Sequence, residues 1–322
     1  VEARLTALIE RQVNNYWHEP QSSENVTSEQ SPERWTTREL EIEQNEHFRF
    51  ARALGPTETF VGRQDQLDRI LDYLHNDSPW PLVIHGASGC GKTALLAQAA
   101  QMSAELPICR DQKPIVRFIG VTPRSSDLRS LLTSLCQDLR QRNPIEGALP
   151  TDIRMLINEF HLHFRAATAD TPIILFLDAL DQLLSLEALD HISDEETGRR
   201  LPWIPVSPLP NHVRFIVSCP SDRDEYDPVG KPFGALLRRK LPSDNVLHLD
   251  ALSWEESQTL LFNRWLPAVE RTVNKPQRHV IEQRLYSETC RQPLYLKLLF
   301  EEVKLWRSYN TPTEPGDGVA AL

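Results

Sequence analysis

Residues 81–98 read PLVIHGASGCGKTALLAQ, and no other stretch limits the possible folds so strongly. Leu82-Val83-Ile84 is a short apolar, β-branched run of the kind that forms a buried strand. It leads directly into Gly86-Ala87-Ser88-Gly89-Cys90-Gly91-Lys92-Thr93, which fits G-x-x-x-x-G-K-[ST] at every fixed position. Ala94-Leu95-Leu96-Ala97-Gln98-Ala99-Ala100 follows, rich in strong helix formers. Strand, glycine loop and helix stand in the order a phosphate-binding loop requires. A chance glycine turn would need neither the lysine nor this context on both sides.

The residue types suit the chemistry. Gly86, Gly89 and Gly91 let the backbone curl around an anion with its N–H groups inward, and the new helix adds its positive end. Lys92 reaches β- and γ-phosphates, and the Thr93 hydroxyl is placed to ligate Mg²⁺. Gly86, Ser88, Gly89, Cys90, Gly91, Lys92, Thr93 and Ala94 are therefore the candidate contacts to a nucleoside triphosphate.

At 322 residues the chain exceeds one average domain and suggests two, or one with an appendage. A net charge of -10 argues against nucleic-acid binding by the bulk surface. Cys90, Cys109, Cys136, Cys219 and Cys290 are odd in number, scattered and without a C-x-x-C pair. That pattern disfavours a disulfide scaffold or zinc site and fits a reducing, cytoplasmic setting. No apolar run approaches a membrane span, and the start lacks a signal-peptide core. A first residue of Val rather than Met suggests a piece of a longer protein.

Helical spacing marks Val1–Trp17 and Arg38–Leu54, separated by a polar, proline-bearing linker from His18 to Glu33. Phe60-Val61-Gly62-Arg63 leads into a helix from Gln64 to Leu74. Ile115–Val121 is a second strand, followed by a helix capped by Ser126 or Asp127 and another from Asp152 to Ala166. Ile173–Leu177 is a continuous apolar run that suits a central parallel strand, and it ends in Asp178-Ala179-Leu180-Asp181. Ligands bind at such strand ends, so Asp178 is the candidate metal holder and Asp181 the acid that polarises attacking water. Many hydrolysing phosphate-loop proteins carry glutamate at that position or beside the metal aspartate, whereas here Gln182 follows Asp181.

Val213–Cys219 is another buried strand, with Ser218 at its tip either a sensor of the γ-phosphate or a capping hydroxyl. Val246–Leu249 completes the sheet. A proline-rich irregular loop, 198–210, precedes the first of these strands, and a basic Arg238-Arg239-Lys240, read as a helix end rather than an arginine finger, lies between the two. From Leu252 onward only helices are expected: Ser253 and Glu256 form a capping-box spacing, and helices follow at Gln258–Leu266, Gln277–Cys290 and Leu294–Trp306, with Pro293 starting the last.

An extra strand between the loop strand and the Asp178 strand is a mark of the ATPase branch of phosphate-loop proteins, and no guanine-reading N-K-x-D is present. Five stretches carry a resemblance covering roughly residues 60–306: FVGRQDQL, HGASGCGKTALLAQ, FIGVTPRSSDLRSLLTSLCQDL, IILFLDALDQL and CRQPLYLKLLFEEVKLW. In this order they resemble the NACHT type of STAND signalling ATPases, as in the modules of nephrocystin-like and telomerase-associated WD- or TPR-repeat proteins. The resemblance implies that Val61 and Arg63 lie near the nucleotide, that Pro293 packs on the base, and that ADP-held resting and ATP-bound oligomerising states alternate. It also implies downstream winged-helix and repeat domains that this chain does not contain, and an arginine after the sensor strand where Cys219-Pro220-Ser221 stands, with Arg223 only later.

The expected fold is α/β: a P-loop NTPase parallel sheet of AAA-like type with helices on both faces, then a small all-helical subdomain. The expected division is a helical segment and linker at 1–57, a nucleotide-binding domain at 58–250, a helical lid at 251–308 and a linker tail at 309–322. The expected ligands are ATP or ADP with Mg²⁺. The expected partners are a second copy of the chain and other domains of a parent protein, with no membrane. The expected activity is slow hydrolysis coupled to assembly; a remodelling motor and a non-hydrolysing scaffold are the rivals.

Overall fold

The computed structural model describes residues 37–54, 60–109, 112–183, 203–205, 208–221 and 241–307. Its centre is a five-stranded, all-parallel sheet: β1 (Leu82–Gly86), β2 (Ile115–Phe118), β3 (Ile173–Asp178), β4 (Val213–Pro220) and β5 (Val246–His248). The spatial order is β2-β3-β4-β1-β5, so β4 lies between the loop strand and the Asp178 strand, as the ATPase branch demands.

Side chains alternate across a strand, and that parity builds two cores. Ile173, Leu175 and Leu177 face one side with Phe215 and Val217, under helices α4 (Leu128–Arg142) and α5 (Ile153–Ala166). Ile174 and Phe176 face the other with Ile84 and Ile216, under α2 (Gln64–His75) and α3 (Lys92–Ser103). Every residue of β3 is buried, which explains its unbroken apolar sequence. The same parity puts Asp178 on the side of α3. Caps fix the helix starts: Asp127 accepts from the Ser130 N–H at 2.8 Å, and Asp152 accepts from those of Arg154 and Met155.

Helix α1 (Thr37–Leu54) covers the open edge of the sheet. His47 Nδ1 accepts the Phe118 N–H at 3.1 Å, satisfying an edge donor of β2. Glu43 takes hydrogen bonds from the Thr122 hydroxyl and His47, and Gln44 reaches Asp138, which also pairs with the buried Arg117. The described part of the N-terminal segment is thus packed on the sheet.

A third core, from Leu252 to Val303, belongs to the helical unit. Its first helix runs as α6 (Trp254–Gln258), a π-helical stretch Thr259–Trp265, and α7 (Leu266–Ala268). Then come α8 (Lys275–Arg284) and α9 (Pro293–Lys304). Two elements end three or more residues before the sequence pattern predicts. β2 stops at Phe118 because Gly120, with φ +88°, turns the chain, and α8 stops at Arg284, before a separate 3-10 turn Thr289–Arg291. The capping box at Ser253 is present with both of its hydrogen bonds. The expected helix Val1–Trp17, the linker after it, most of loop 198–210, Arg223, Arg238–Lys240 and the C-terminal tail lie outside the described residues. Among the described residues no helix is long and apolar enough to cross a membrane.

Candidate functional site

The C-terminal ends of β1, β3 and β4 meet at the loop. Gly89 and Gly91 have φ of +78° and +96°, conformations glycine adopts without strain. Gly86 is needed for space: a Cβ there would fall 2.7 Å from Cys90 Sγ. Helix α3 begins at Lys92, so its first amides face the loop with no preceding turn to accept from them. Lys92 Nζ donates to the carbonyls of Gly86 at 2.9 Å and Ala87 at 3.0 Å, lying back along the loop. Ser88 is exposed at its tip, and Ala94 continues the helix.

Asp178, only 2% exposed, ends β3 and is hydrogen-bonded to the hydroxyls of Thr93 and Ser218. Ser218 Oγ donates to Asp178 Oδ1 at 2.5 Å and accepts the Ala179 N–H at 2.9 Å. Ser218 thus bridges the acid and the turn that follows it. Burial pushes the Asp178 carboxyl above the ordinary carboxylate range; the Ser218 and Thr93 hydroxyls and the Lys92 charge pull against it, and Asp181 adds to the rise. Ala179 is held at φ +60°, an arrangement a non-glycine residue adopts only under constraint. Asp181 sits on the next turn and accepts from the Gln182 amide at 3.2 Å.

These residues fit a nucleotide with Mg²⁺: the loop glycines leave a cradle that a Cβ would fill, and a buried carboxylate is joined to the threonine of the loop. The loop residues with Lys92 would hold phosphates, and Thr93 with Asp178 would hold the cation.

The remaining predicted residues approach the loop from the side. Arg63, buried and at φ +62°, donates from its guanidinium to the Cys90 carbonyl at 3.2 Å and to the Asp250 carbonyl. Burial lowers its pKa from the ordinary arginine value. Val61 packs into the core of the helical unit, whereas its neighbour Phe60 packs against the sheet-face core. Pro293 opens α9 directly over the loop: a Cβ on Gly91 would lie 3.2 Å from its Cγ. Leu294 donates its N–H to the Gly89 carbonyl at 3.2 Å.

Sequence reasoning missed Leu294 and the outward reach of Glu256. Glu256 was legible as a helix cap, but nothing local shows that its second oxygen accepts the Arg63 N–H, 193 residues away, at 3.1 Å.

The model for the AAA ATPase domain family matches residues 59–204. Over 264 residues, the chain is 30% identical to NACHT domain- and WD repeat-containing protein 1 of Homo sapiens, covering 79% of this chain and 16% of that protein. It is 29% identical to NACHT and WD repeat domain-containing protein 2 of Mus musculus, covering 73% of this chain and 13% of the other. It is 26% identical to telomerase protein component 1 of Mus musculus over 72% of this chain and 8% of that one. The chain thus spans a sixth or less of the length of these curated relatives. Among solved structures, the Aeropyrum pernix ORC2 protein aligns with a TM-score of 0.47 and 19% identity over 78% of this chain and 63% of that one. Loop, parallel sheet, family model and the NACHT-named relatives agree: the chain is a P-loop NTPase module with an AAA-like ATPase domain and NACHT features.

Proposed function

We propose that the module is an ATP/ADP switch, in which the phosphate state of the bound nucleotide sets the position of the helical lid and thereby self-assembly. The observation that carries this reading is the seat of α9 on the loop, through Leu294 on Gly89 and Pro293 over Gly91. A ligand shifts a conformational equilibrium only by contacting its two states differently, and a lid resting on the phosphate loop is where such a difference arises.

In this reading Lys92 and the amides of Gly89, Gly91, Lys92, Thr93 and Ala94 orient the phosphates, with Ser88 and Cys90 completing the loop. Val61, Arg63 and Pro293 border the nucleoside. Thr93 and Asp178 hold Mg²⁺, which when bound supplies neutralisation of phosphate charge. Asp178 is kept in place by Ser218. Asp181 orients water, and its hydrogen bond from Gln182 favours slow turnover. That same contact gives the non-hydrolysing scaffold its support. The five reduced cysteines, four of them buried, accord with a reducing cytoplasmic setting. The repeat domains named in the relatives suggest further domains of a longer parent.

Magnesium-dependent phosphate release and sedimentation in ATP against ADP test the switch, with Asp178→Asn alongside. Slow release lost in the variant, and larger assemblies in ATP alone, are expected. Turnover without assembly differences would remove the switch; assembly differences without turnover would favour the scaffold.

A further inference from the structure

We propose that Glu256 and Gly62 form a latch that fixes the lead-in of the nucleotide site to the lid, so that nucleotide release requires the pair to part. The latch deepens the switch reading and, for its effect on release, rests on it.

A capping box needs only one carboxylate oxygen. Glu256 Oε2 supplies it, accepting the Ser253 N–H at 2.7 Å. The other oxygen, which a cap leaves to solvent, accepts the Arg63 N–H at 3.1 Å. A carboxylate can take both donors at once because it is acceptor only. Gly62 makes the approach possible: at φ +76°, a Cβ on it would lie 2.6 Å from Glu256 Cδ. Glu256 therefore reaches the Arg63 N–H across a residue that carries no Cβ.

The chain at this point is held, not relaxed. Gly62 and Arg63 are consecutive left-handed residues, and the second is not glycine. That turn aims the Arg63 guanidinium at the Cys90 carbonyl of the loop and at Asp250, where the sheet gives way to the lid. Glu256 thus reaches the loop through Arg63, while α9 reaches the preceding carbonyl, Gly89, directly. Two consecutive loop carbonyls are tied to the lid by separate routes. Glu256 is a positioning residue, acting through Arg63.

The test compares the full chain with Glu256→Ala, Gly62→Ala, their double variant and Ser253→Ala. Alanine at 256 removes the acceptor of both donors. Ser253→Ala weakens the cap and leaves the Arg63 contact. Without nucleotide, native-state hydrogen exchange at Arg63 should quicken in Glu256→Ala and Gly62→Ala and stay slow in Ser253→Ala. With fluorescently labelled ADP chased by unlabelled ADP, the two latch variants should each release about tenfold faster, as for loss of one hydrogen bond to a charged group. The double variant should match either single one. Unchanged Arg63 exchange in Glu256→Ala overturns the latch, as does a release rate in Ser253→Ala equal to that of Glu256→Ala. A wild-type chain that retains no labelled ADP overturns the nucleotide reading, and the exchange measurement still decides the latch.

Discussion

The Leu294 amide caps its own helix with the carbonyl of Gly89, so the phosphate loop supplies the acceptor that the first turn of α9 lacks. Lid and loop therefore share a hydrogen bond, and disturbing either disturbs both. Gly89→Ala should show this. Its Cβ would meet Leu294 Cβ at 2.9 Å and would have to adopt φ +78°. Left-handed strain of about 1–2 kcal/mol plus displacement of α9 should lower the melting temperature and weaken nucleotide binding. Titration with labelled ADP checks this; unchanged affinity would mean that α9 does not press on the loop.

Asp178 should trade stability for function. Its raised pKa means the folded state binds its proton more tightly than the unfolded state does. The ionised group therefore costs stability above the ordinary carboxylate pKa, and the cost disappears as pH falls below it. Asp178→Asn should raise the melting temperature without nucleotide at pH 7 while abolishing the effect of Mg²⁺ on nucleotide binding. Equal melting temperatures at pH 7 would show that this carboxylate is not desolvated.

Ser218→Ala removes the donor to Asp178 and the acceptor for the Ala179 N–H in a buried place. A loss of about 1–3 kcal/mol is expected, read by denaturant unfolding. A loss below that range would mean that water replaces the hydroxyl.

Ala179→Gly should stabilise. Relief of left-handed strain, about 1–2 kcal/mol, exceeds the added freedom of the unfolded chain, about 0.4–1 kcal/mol. A net gain of about 0.5–1 kcal/mol should appear in thermal unfolding, whereas a loss would show that the turn is not strained.

His47 links stability to pH. Burial, its largest influence, lowers its pKa, and Nδ1 must stay unprotonated to accept the Phe118 N–H. The stabilisation is complete above the ordinary histidine pKa of about 6.5 and falls as pH drops below it, by at most about 1.4 kcal/mol per pH unit. His161 and His163 shift the same way, so His47→Gln should flatten part of the acid slope only. An unaltered slope would place the Nδ1 contact outside the folded-state balance.

The sequence made the loop, the Asp178 strand and the lid helices legible because each is a local pattern: fixed spacing, an unbroken apolar run, a 3.6-residue period. Glu256 on Arg63, His47 on Phe118 and Leu294 on Gly89 were not legible, because each joins segments far apart in the chain and depends on one atom of a side chain or backbone. Strand β2 and helix α8 were read too long because apolar spacing continues through Gly120 and past Arg284, where backbone geometry ends the element.

The most direct test is the nucleotide carried by the purified chain, identified by denaturation and chromatography, beside Lys92→Ala. The account predicts tightly held ADP in the native chain and none in the variant, because Lys92 and the loop under α9 would retain it. A native chain without nucleotide, exchanging ATP weakly and freely, would contradict a lid that holds its ligand on the loop.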